Sequence, residues 1–479
     1  MLDLLIGGGE VVDGSGAPRM RADIGVRDGL IVEVGDLAGV AAHRRVDASG
    51  KVTAPGFIDV HTHDDQLLLE GSGAPHPKVL QGVTTVVTGN CGVSLAPLVT
   101  EHAPPPLDVL GSGAYRFDSF GAYLDELEHA RPIVNAVSLV GHSTLRARHM
   151  AALDRPATDK ETAAMRRTLA RALAEGAWGL STGLYYPTAC AATAQEVIEL
   201  AAPLPDCGGL LTMHIRDEGD RIDDALREAF AIGRALRVPL VLSHHKLVGK
   251  RNHGRSAQTL ALIDEAALEQ SVCLDCYPYD ASSTMLLPSR VNQSRDVMVT
   301  WSGALPGAAG RSLFELARER NEEPEQTARA LAPAGAIYFA MSEDDVGRIL
   351  RHPLSMIGSD GLAHDTHPHP RLWGTFPRVL GRYVREQRLL TLEAAVHKMT
   401  GLPARRFGLA RRGQVAPGFH ADLVTFDPNT IMDRATYRRP QLPPDGVEAV
   451  HVNGQLACAS GQMTGARAGH LLRRRGNIS

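Results

Sequence analysis

The chain contains the sequence Ala54-Pro55-Gly56-Phe57-Ile58-Asp59-Val60-His61-Thr62-His63, in which a Pro-Gly turn and a short apolar run lead into two histidines. In a β-strand, residues i and i+2 point to the same face, so His61 and His63 are predicted to aim both imidazoles at one point beyond the strand end. Neutral imidazole is the commonest side-chain ligand for zinc and related metals. The stretch therefore predicts a buried strand that leads into a metal-binding pair.

Seven further strand-like segments follow this one, with helical patterns between them. The eight predicted strands are Gly56–His63, Val83–Cys91, Asn135–Ser143, Gly179–Tyr185, Gly209–Glu218, Pro239–Lys246, Val272–Tyr279 and Ser355–Asp360. The predicted helix Thr158–Gly176 illustrates the segments between, because Thr158 and Glu161 have the spacing of a capping box. Alternating strands and helices indicate a parallel sheet, and eight repeats predict an α/β fold of the (β/α)8 TIM-like barrel type.

Both ends of the chain contain short apolar runs divided by glycine-rich turns, which indicate β-structure. We therefore predict a small β-rich domain built from residues 1–55 and 405–479, beside a barrel that spans residues 56–404. About seventy-five residues separate the seventh and eighth predicted strands. We predict an insertion there, at about residues 290–345, which is either a lid near the barrel mouth or a plain surface excursion.

The bulk composition excludes several classes of protein. The chain has 479 residues, and its formal net charge of −4 gives no reason to expect nucleic acid or an anionic membrane as a partner. The N-terminus lacks the pattern of a signal peptide, and no apolar run approaches the ~20 residues needed to span a bilayer. Six cysteines in so long a chain do not predict a disulfide framework, so we expect a cytoplasmic location.

More potential metal ligands lie at the ends of the predicted strands, which form the catalytic face of such a barrel. The set comprises His61, His63, Cys91, His214, His244 and Asp360. Four imidazoles, a thiolate and a carboxylate can bind one or two metal ions, and mixed nitrogen, sulfur and oxygen ligation suits zinc best.

The Pro-Gly turn, the buried strand and the His-x-His pair resemble the amidohydrolase superfamily, whose members are metal-dependent hydrolases on (β/α)8 barrels. Many members bridge two metals with a carboxylated lysine on the fourth strand, but Gly179–Tyr185 contains no lysine. A metal-bound Cys91 thiolate can replace that bridge. This pattern is similar to the D-aminoacylase, or N-acyl-D-amino-acid deacylase, family over essentially the whole barrel.

The resemblance implies a β-sandwich beside the barrel and a zinc-dependent amide hydrolase that acts on small-molecule N-acyl-D-amino acids. It implies one tight zinc on Cys91, His214 and His244, and a second, weaker position lined by His61, His63 and Asp360, with Cys91 as the bridge. Asp360 is the candidate for moving a proton from water to the leaving amine. The resemblance also implies that the substrate is bound by Lys246, Arg371, Tyr186, Tyr277 and Ser283. His253 departs from the family pattern, in which an aromatic residue is expected at its position.

Three alternatives stay open at this point. A hydantoinase or dihydroorotase-like hydrolase of cyclic amides would use a similar barrel, although the missing fourth-strand lysine counts against it. A dipeptidase that acts on a C-terminal D-residue is a close chemical neighbour. A barrel that kept the fold as a non-catalytic interaction protein is expected to have lost metal ligands, whereas this chain keeps all six.

Overall fold

Eight short parallel strands form a barrel in the computed structural model, which describes residues 1–70, 76–111 and 113–474. These strands are Phe57–Asp59, Val83–Thr88, Asn135–Ser138 continued by Val140–Gly141, Gly179–Gly183, Leu210–His214, Leu240–Leu242, Val272–Cys276 and Ser355–Ile357. Successive strands pair in parallel. A parallel bridge from Thr62 to Gly361 joins the segments that follow the first and eighth strands. The predicted barrel and its strand order are therefore confirmed.

The strands are shorter than predicted, and this corrects the reasoning that placed the first two histidines. The first strand ends at Asp59, so His61 and His63 lie in the segment that follows it rather than on the pleated strand itself. The second strand ends at Thr88, before Cys91. Backbone geometry explains the ending of the second strand, because Gly89 and Cys91 have φ of 77° and 55°, which are incompatible with a pleated strand.

Helices surround the barrel strands, as the alternating pattern predicts. They are Pro77–Leu80, Phe120–Ala130, His142–His149, Asp159–Glu175, Ala194–Ala201, Ile222–Leu236, Ser256–Ala267, Glu343–Arg351, Arg371–Arg378, Leu392–Met399 and Gly401–Phe407, with a π-helix at Val379–Glu386. The predicted capping box starts the helix Asp159–Glu175: the Glu161 amide donates to Thr158 Oγ1, and the Thr158 amide donates to the Glu161 carboxylate. Gly176 ends this helix with φ 117°, which glycine adopts without steric cost.

Two further sheets, built from both ends of the chain, form the predicted sandwich. One contains Leu2–Gly7, Asp23–Arg27, Leu30–Gly35 and Ala42–Asp47, and the other contains Glu10–Val11, Met20–Arg21, Val52–Pro55, Leu423–Phe426, Val447–Val452, Gln455–Ala459 and Gln462–Met463. Leu4 and Ile24 of the first sheet share a buried core with Val11 and Leu423 of the second.

The exact domain boundaries stay a prediction. The helix Gly401–Phe407 runs across the proposed boundary at residue 405. The end of the described chain returns to the barrel, where the Leu472 amide donates to Ala136 O at 2.8 Å. Residues 475–479 of the predicted domain lie outside the described residues.

The long interval after the seventh strand folds around its own small sheet. Its antiparallel strands are Ser282–Met285, Val297–Ser302 and Ala334–Tyr338, and its helices are Pro288–Val291, Leu313–Arg320 and Pro324–Leu331. The inserted sheet therefore begins before the predicted residue 290. The two helices Leu313–Arg320 and Pro324–Leu331 are separate because Asn321 is left-handed (φ 52°) and Pro324 starts a new helix.

Short elements complete the described chain. Leu98–Val99 and Arg116–Phe117 form a two-stranded antiparallel ladder. Single 3₁₀ turns lie at Leu67–Leu69, Leu107–Leu110, Pro205–Cys207, Lys250–Asn252 and Pro306–Ala308. None of the helices in the described ranges is both long and apolar enough to cross a membrane. All six cysteines are free thiols.

Candidate metal centre

The predicted metal ligands meet at the carboxyl end of the barrel, where three of them have an unusual backbone. Cys91, His244 and Asp360 have φ of 55°, 37° and 51°. Residues other than glycine rarely adopt this left-handed region, and strain of this kind concentrates at functional sites. All three residues follow the end of a barrel strand, where the chain turns instead of continuing the pleat.

The first group of ligands comes from the first, second and eighth strands. The donor atoms of His61, His63, Cys91 and Asp360 all lie within 4.8 Å of one another, and all four residues are buried. His61 Nε2 lies 3.2 Å from Cys91 Sγ. His63 Nε2 lies 3.3 Å from Asp360 Oδ1.

The second group comes from the second, fifth and sixth strands, and it shares Cys91 with the first. The donor atoms of Cys91, His214 and His244 also lie within 4.8 Å of one another. His244 Nε2 is 3.2 Å from Cys91 Sγ and 2.9 Å from His214 Nδ1. The structure therefore brings together all six residues that the sequence singles out, with the thiol between the two groups.

The surrounding charges favour ionised ligands. Burial would raise the pKa of the Cys91 thiol, but His61 and His244 outweigh it and hold that pKa well below its ordinary value. Burial would also raise the pKa of the Asp360 carboxyl, whereas Arg371 and His61 hold it well below its ordinary value. A thiolate and a carboxylate are the forms that bind a metal cation.

The donor set fits zinc. One thiolate, several imidazoles and a carboxylate are ligands that this borderline-soft ion accepts. His214 Nδ1, His244 Nε2 and Cys91 Sγ lie close enough together for one cation to contact all three.

Two buried carboxylates beside the cluster escaped the sequence analysis. Asp275 lies in the middle of the seventh strand, and its carboxylate is 3.3 Å from His61 Nδ1. Glu218 Oε1 lies 3.2 Å from His244 Nδ1. A lone acid within the buried run Val272–Cys276 is a usable sequence signal for Asp275, since an unpaired buried carboxylate is costly. Glu218 follows His214 by four residues in a polar stretch, where nothing in the sequence marks it.

Arg371, predicted to bind a carboxylate, lies buried against the cluster. Its Nη2 is 2.8 Å from Asp360 Oδ2 and donates to Ser283 O at 3.1 Å. Its guanidinium carbon is 4.4 Å from the centre of the Tyr277 ring. Nε and Nη1 are buried and have no hydrogen-bond partner among the described residues.

Lys246, the second predicted cation, is already paired. Its ammonium donates to Glu218 Oε1, and it lies 2.7 Å from His244 Nδ1. The sixth strand ends at Leu242, so His244 and Lys246 both lie in the segment that follows it, although the predicted strand Pro239–Lys246 included them. Glu218 neutralises the charge that was predicted to meet a substrate.

The remaining predicted substrate residues lie around the same space. Tyr186 OH is 3.1 Å from Thr284 Oγ1, and the Tyr277 hydroxyl faces Met341 Sδ at 3.9 Å. Ser283 Oγ is buried and has no partner in the described part of the chain. His253 is exposed, with Nε2 3.3 Å from Ala340 O.

A cavity of about 770 Å³ opens beside the cluster, between the barrel and the inserted sheet. Its lining includes Tyr185, Lys250, Arg251, Arg290 and Asn292, together with three carboxylates, Asp217, Glu218 and Asp220. Arg290 is only 4% exposed, and its guanidinium carbon lies 5.3 Å and 4.8 Å from the ring centres of Tyr185 and Tyr338. No carboxylate in the described ranges forms an ion pair with it. No sequence pattern singles out Arg290, an arginine at the edge of a charged insertion.

Comparisons with known proteins cover nearly the whole chain. The model of the family described as "Amidohydrolase family" matches residues 44–261 and 304–457. The D-aminoacylase of Alcaligenes xylosoxydans xylosoxydans is 54% identical over 473 residues, which covers 98% of each chain. The N-acyl-D-aspartate deacylase of the same organism is 50% identical and covers 98% of this chain and 95% of its own length. A crystal structure of the N-acyl-D-glutamate deacylase from Bordetella bronchiseptica, complexed with zinc and a phosphonate inhibitor, is 47% identical with a TM-score of 0.93, covering 98% of this chain and 99% of that one.

Proposed function

The chain belongs to the amidohydrolase family, and from this we propose that it hydrolyses the amide bond of N-acyl-D-amino acids to a D-amino acid and a carboxylate. The observation that carries the proposal is the shared position of Cys91 between the two ligand groups. The fourth strand offers no lysine for the bridge used by many cyclic-amide hydrolases of this fold. Three relatives of similar length that act on linear acyl-D-amino acids support the same conclusion.

Zinc is the proposed cofactor. Cys91, His214 and His244 would hold one ion tightly, and His61, His63 and Asp360 would line a second, weaker position. When bound, zinc polarises the amide carbonyl and lowers the pKa of water toward neutrality. The zinc-containing relative and the donor chemistry of the cluster support this assignment.

Asp360 is the proposed proton carrier. Its carboxylate would accept a proton from the attacking water and then deliver it to the leaving nitrogen, so that the hydroxyl oxygen ends in the product carboxylate and the nitrogen leaves as an amine. His63 and Arg371 each contact one of its two oxygens. These two contacts fix the direction of the carboxylate and keep it ionised.

The α-carboxylate of the substrate is proposed to bind Arg371. Nη2 of this arginine is occupied by Asp360, while Nε and Nη1 are the donors left for a ligand. Nε and Nη1 lie on opposite edges of the guanidinium, so a substrate carboxylate would accept a charge-assisted hydrogen bond from one of them. The Ser283 hydroxyl, which also lacks a partner among the described residues, is a third donor at the same place.

The side chain of the preferred substrate is proposed to be acidic. Arg290 is buried at the cavity wall without a carboxylate partner in the described part of the chain, and a buried cation without an anion is costly. Lys250 adds a second cation to the same wall, which also contains carboxylates: Glu218 pairs with Lys246 and Asp220 with Arg251. An aspartate or glutamate side chain of the substrate would supply the missing anion, whereas a leucine or methionine side chain would leave it unpaired.

A panel of N-acetyl amino acids tests the proposed function. Amine release is measured for the D- and L-forms of glutamate, aspartate, methionine and leucine, on protein stripped of metal and on protein resupplied with zinc. We expect zinc-dependent release from the D-forms alone, fastest for glutamate or aspartate. Faster turnover of dihydrouracil or a hydantoin than of every N-acetyl-D-amino acid would refute the proposal. Turnover of a dipeptide with a C-terminal D-residue, compared with that of the N-acetyl-D-amino acids, distinguishes a dipeptidase from a deacylase.

A further inference from the structure

We propose that Asp275 is a positioning residue that ties the two groups of metal ligands together. Asp275 is not one of the six predicted metal ligands, but it contacts one member of each group, His61 and His244. This inference rests on the zinc centre proposed above. It concerns how that centre is organised, and so it is tested by metal binding rather than by turnover.

The contact to His61 fixes which ring nitrogen faces the cluster. His61 Nδ1 lies 3.3 Å from the Asp275 carboxylate, and both side chains are buried. A carboxylate can only accept, so Nδ1 carries the proton and donates it. The lone pair then lies on Nε2, which faces Cys91 Sγ at 3.2 Å. A carboxylate behind a metal-binding histidine orients the ring and raises its basicity.

The contact to His244 fixes a strained backbone. The His244 amide donates to Asp275 Oδ1 at 2.9 Å, and the next amide, that of His245, donates to Asp275 O at 2.7 Å. Between these two hydrogen bonds the chain turns through the left-handed conformation of His244, with φ 37°. One residue of the seventh strand therefore holds the turn that directs His244 Nε2 toward Cys91 and His214.

The neighbouring eighth strand leaves space for this arrangement. A Cβ at Gly358 would lie 2.5 Å from His61 Cβ and 3.0 Å from Asp275 Oδ1. Glycine at this position lets the histidine and the carboxylate meet. Because the carboxylate is 1% exposed and pairs with no lysine or arginine in the described ranges, its hydrogen bonds to the two ligand residues are what compensate its burial.

Zinc titration of metal-free protein tests the proposal. The parent, Asp275→Asn and Asp275→Ala are first stripped of zinc with a chelator. Zinc is then added back in the presence of a chromophoric chelator, and this competition gives the affinity of each protein for its first and second equivalents of zinc. In Asp275→Asn an oxygen can still accept from the His244 amide, but the negative charge behind His61 is gone. We expect the second, weaker equivalent to lose about 10–100-fold in affinity, while the first loses less. In Asp275→Ala the His244 amide also loses its acceptor, so both equivalents should weaken.

Glu218→Gln is the matched control, because this buried carboxylate contacts His244 Nδ1 but not His61. It should weaken the first equivalent and spare the second, the opposite order from Asp275→Asn. Thermal unfolding of the metal-free proteins checks that each variant is folded. Two results would overturn the proposal: parent affinity for both equivalents in Asp275→Asn, or equal losses at both with a lowered unfolding temperature. A parent that binds no zinc would overturn the proposed function as well, whereas a parent that saturates at one equivalent would overturn only the inference about Asp275.

Discussion

Arg371 Nη2 lies 2.8 Å from Asp360 Oδ2, and both side chains are buried at the carboxyl end of the barrel. This pair links the carboxylate of the eighth strand to the first residue of the helix Arg371–Arg378. One nitrogen of the guanidinium holds the proposed proton carrier, while Nε and Nη1 remain available to a substrate anion. Binding of the substrate and proton transfer are therefore expected to depend on the same arginine, although through different atoms.

Replacing the proton carrier should separate catalysis from tight metal binding. Asp360→Asn keeps the size of the side chain but removes its ability to accept a proton, so we expect kcat to fall by about 10²–10⁴. The tight zinc should remain, since Cys91, His214 and His244 are unchanged. Zinc content and steady-state rates are measured on the same preparation. A variant that keeps more than about a tenth of the parent rate would remove Asp360 from this role.

Truncating Arg371 should weaken substrate binding through the lost charge-assisted hydrogen bonds. We expect Arg371→Ala to raise KM for N-acyl-D-amino acids by the equivalent of about 1.5–3 kcal/mol. It should also lower kcat, because Asp360 loses the cation that orients it. The parent should discriminate strongly against the α-amide analogue of its best substrate. Equal turnover of acid and amide by the parent would contradict carboxylate recognition at this position.

The shared thiol makes a prediction that needs no substrate. If Cys91 is a ligand to both positions, Cys91→Ala should lose tight zinc and activity together, whereas Cys91→Asp should keep part of the metal, because a carboxylate is also a competent zinc ligand. If Cys91 is only packed beneath the strand end, alanine would leave a small cavity and the full metal content. Metal analysis of the folded variants distinguishes the two, and full zinc occupancy in Cys91→Ala would exclude the bridge.

Asp365 predicts a pH dependence of stability. Burial raises the pKa of Asp365 to about 7, from an ordinary value of 3.8. Between these values the folded state binds a proton that the unfolded state has released, so this group favours folding at low pH and the benefit is lost as the pH rises through about 7. Asp365→Asn supplies a neutral side chain of the same size. It should stabilise the protein at pH 8, by at most about 4 kcal/mol, and progressively less toward pH 5.

Thermal unfolding of the parent and Asp365→Asn is compared in the presence of a chelator, so that the pH dependence of metal binding does not contribute. The difference in midpoint between the two proteins should grow from pH 5 to about pH 7 and then level off toward pH 8. A constant difference across this range would show that Asp365 is ionised in the folded protein.

The sequence was sufficient for the barrel and for the six clustered side chains, because both depend on local patterns. Alternating apolar segments predict parallel strands, and the ends of parallel strands must meet at one face. His61, Cys91 and Asp360 are therefore neighbours for topological reasons, whatever the details of each strand. The early ending of the sixth strand could not be predicted, since the left-handed turn at His244 is held by a hydrogen bond to Asp275 of the seventh strand.

Contacts between distant segments account for what the sequence did not predict. The pairing of Lys246 with Glu218 joins residues on the fifth and sixth strand ends, and no local pattern says which carboxylate meets which cation. Arg290 gains its position only because the inserted sheet packs its first helix beside Tyr185. The cavity wall that contains Arg290 is thus the part of the site that depends most on tertiary structure.

Arg290 gives the sharpest test of substrate choice. If it pairs with an acidic substrate side chain, Arg290→Met should lower kcat/KM for N-acetyl-D-glutamate or N-acetyl-D-aspartate by about 10–100-fold, the equivalent of a charge-assisted hydrogen bond of ~1.5–3 kcal/mol. N-acetyl-D-methionine should be turned over at least as well as by the parent, because no unpaired cation then faces its side chain.

The matched control is Arg295→Met, since Arg295 belongs to the same insertion but is exposed and pairs with Asp280 at 2.7 Å. This control should leave the ratio of acidic to neutral substrates unchanged. A parent that prefers N-acetyl-D-methionine, or an Arg290→Met variant that keeps the parent ratio, would assign Arg290 to holding the inserted sheet through its tyrosine contacts instead.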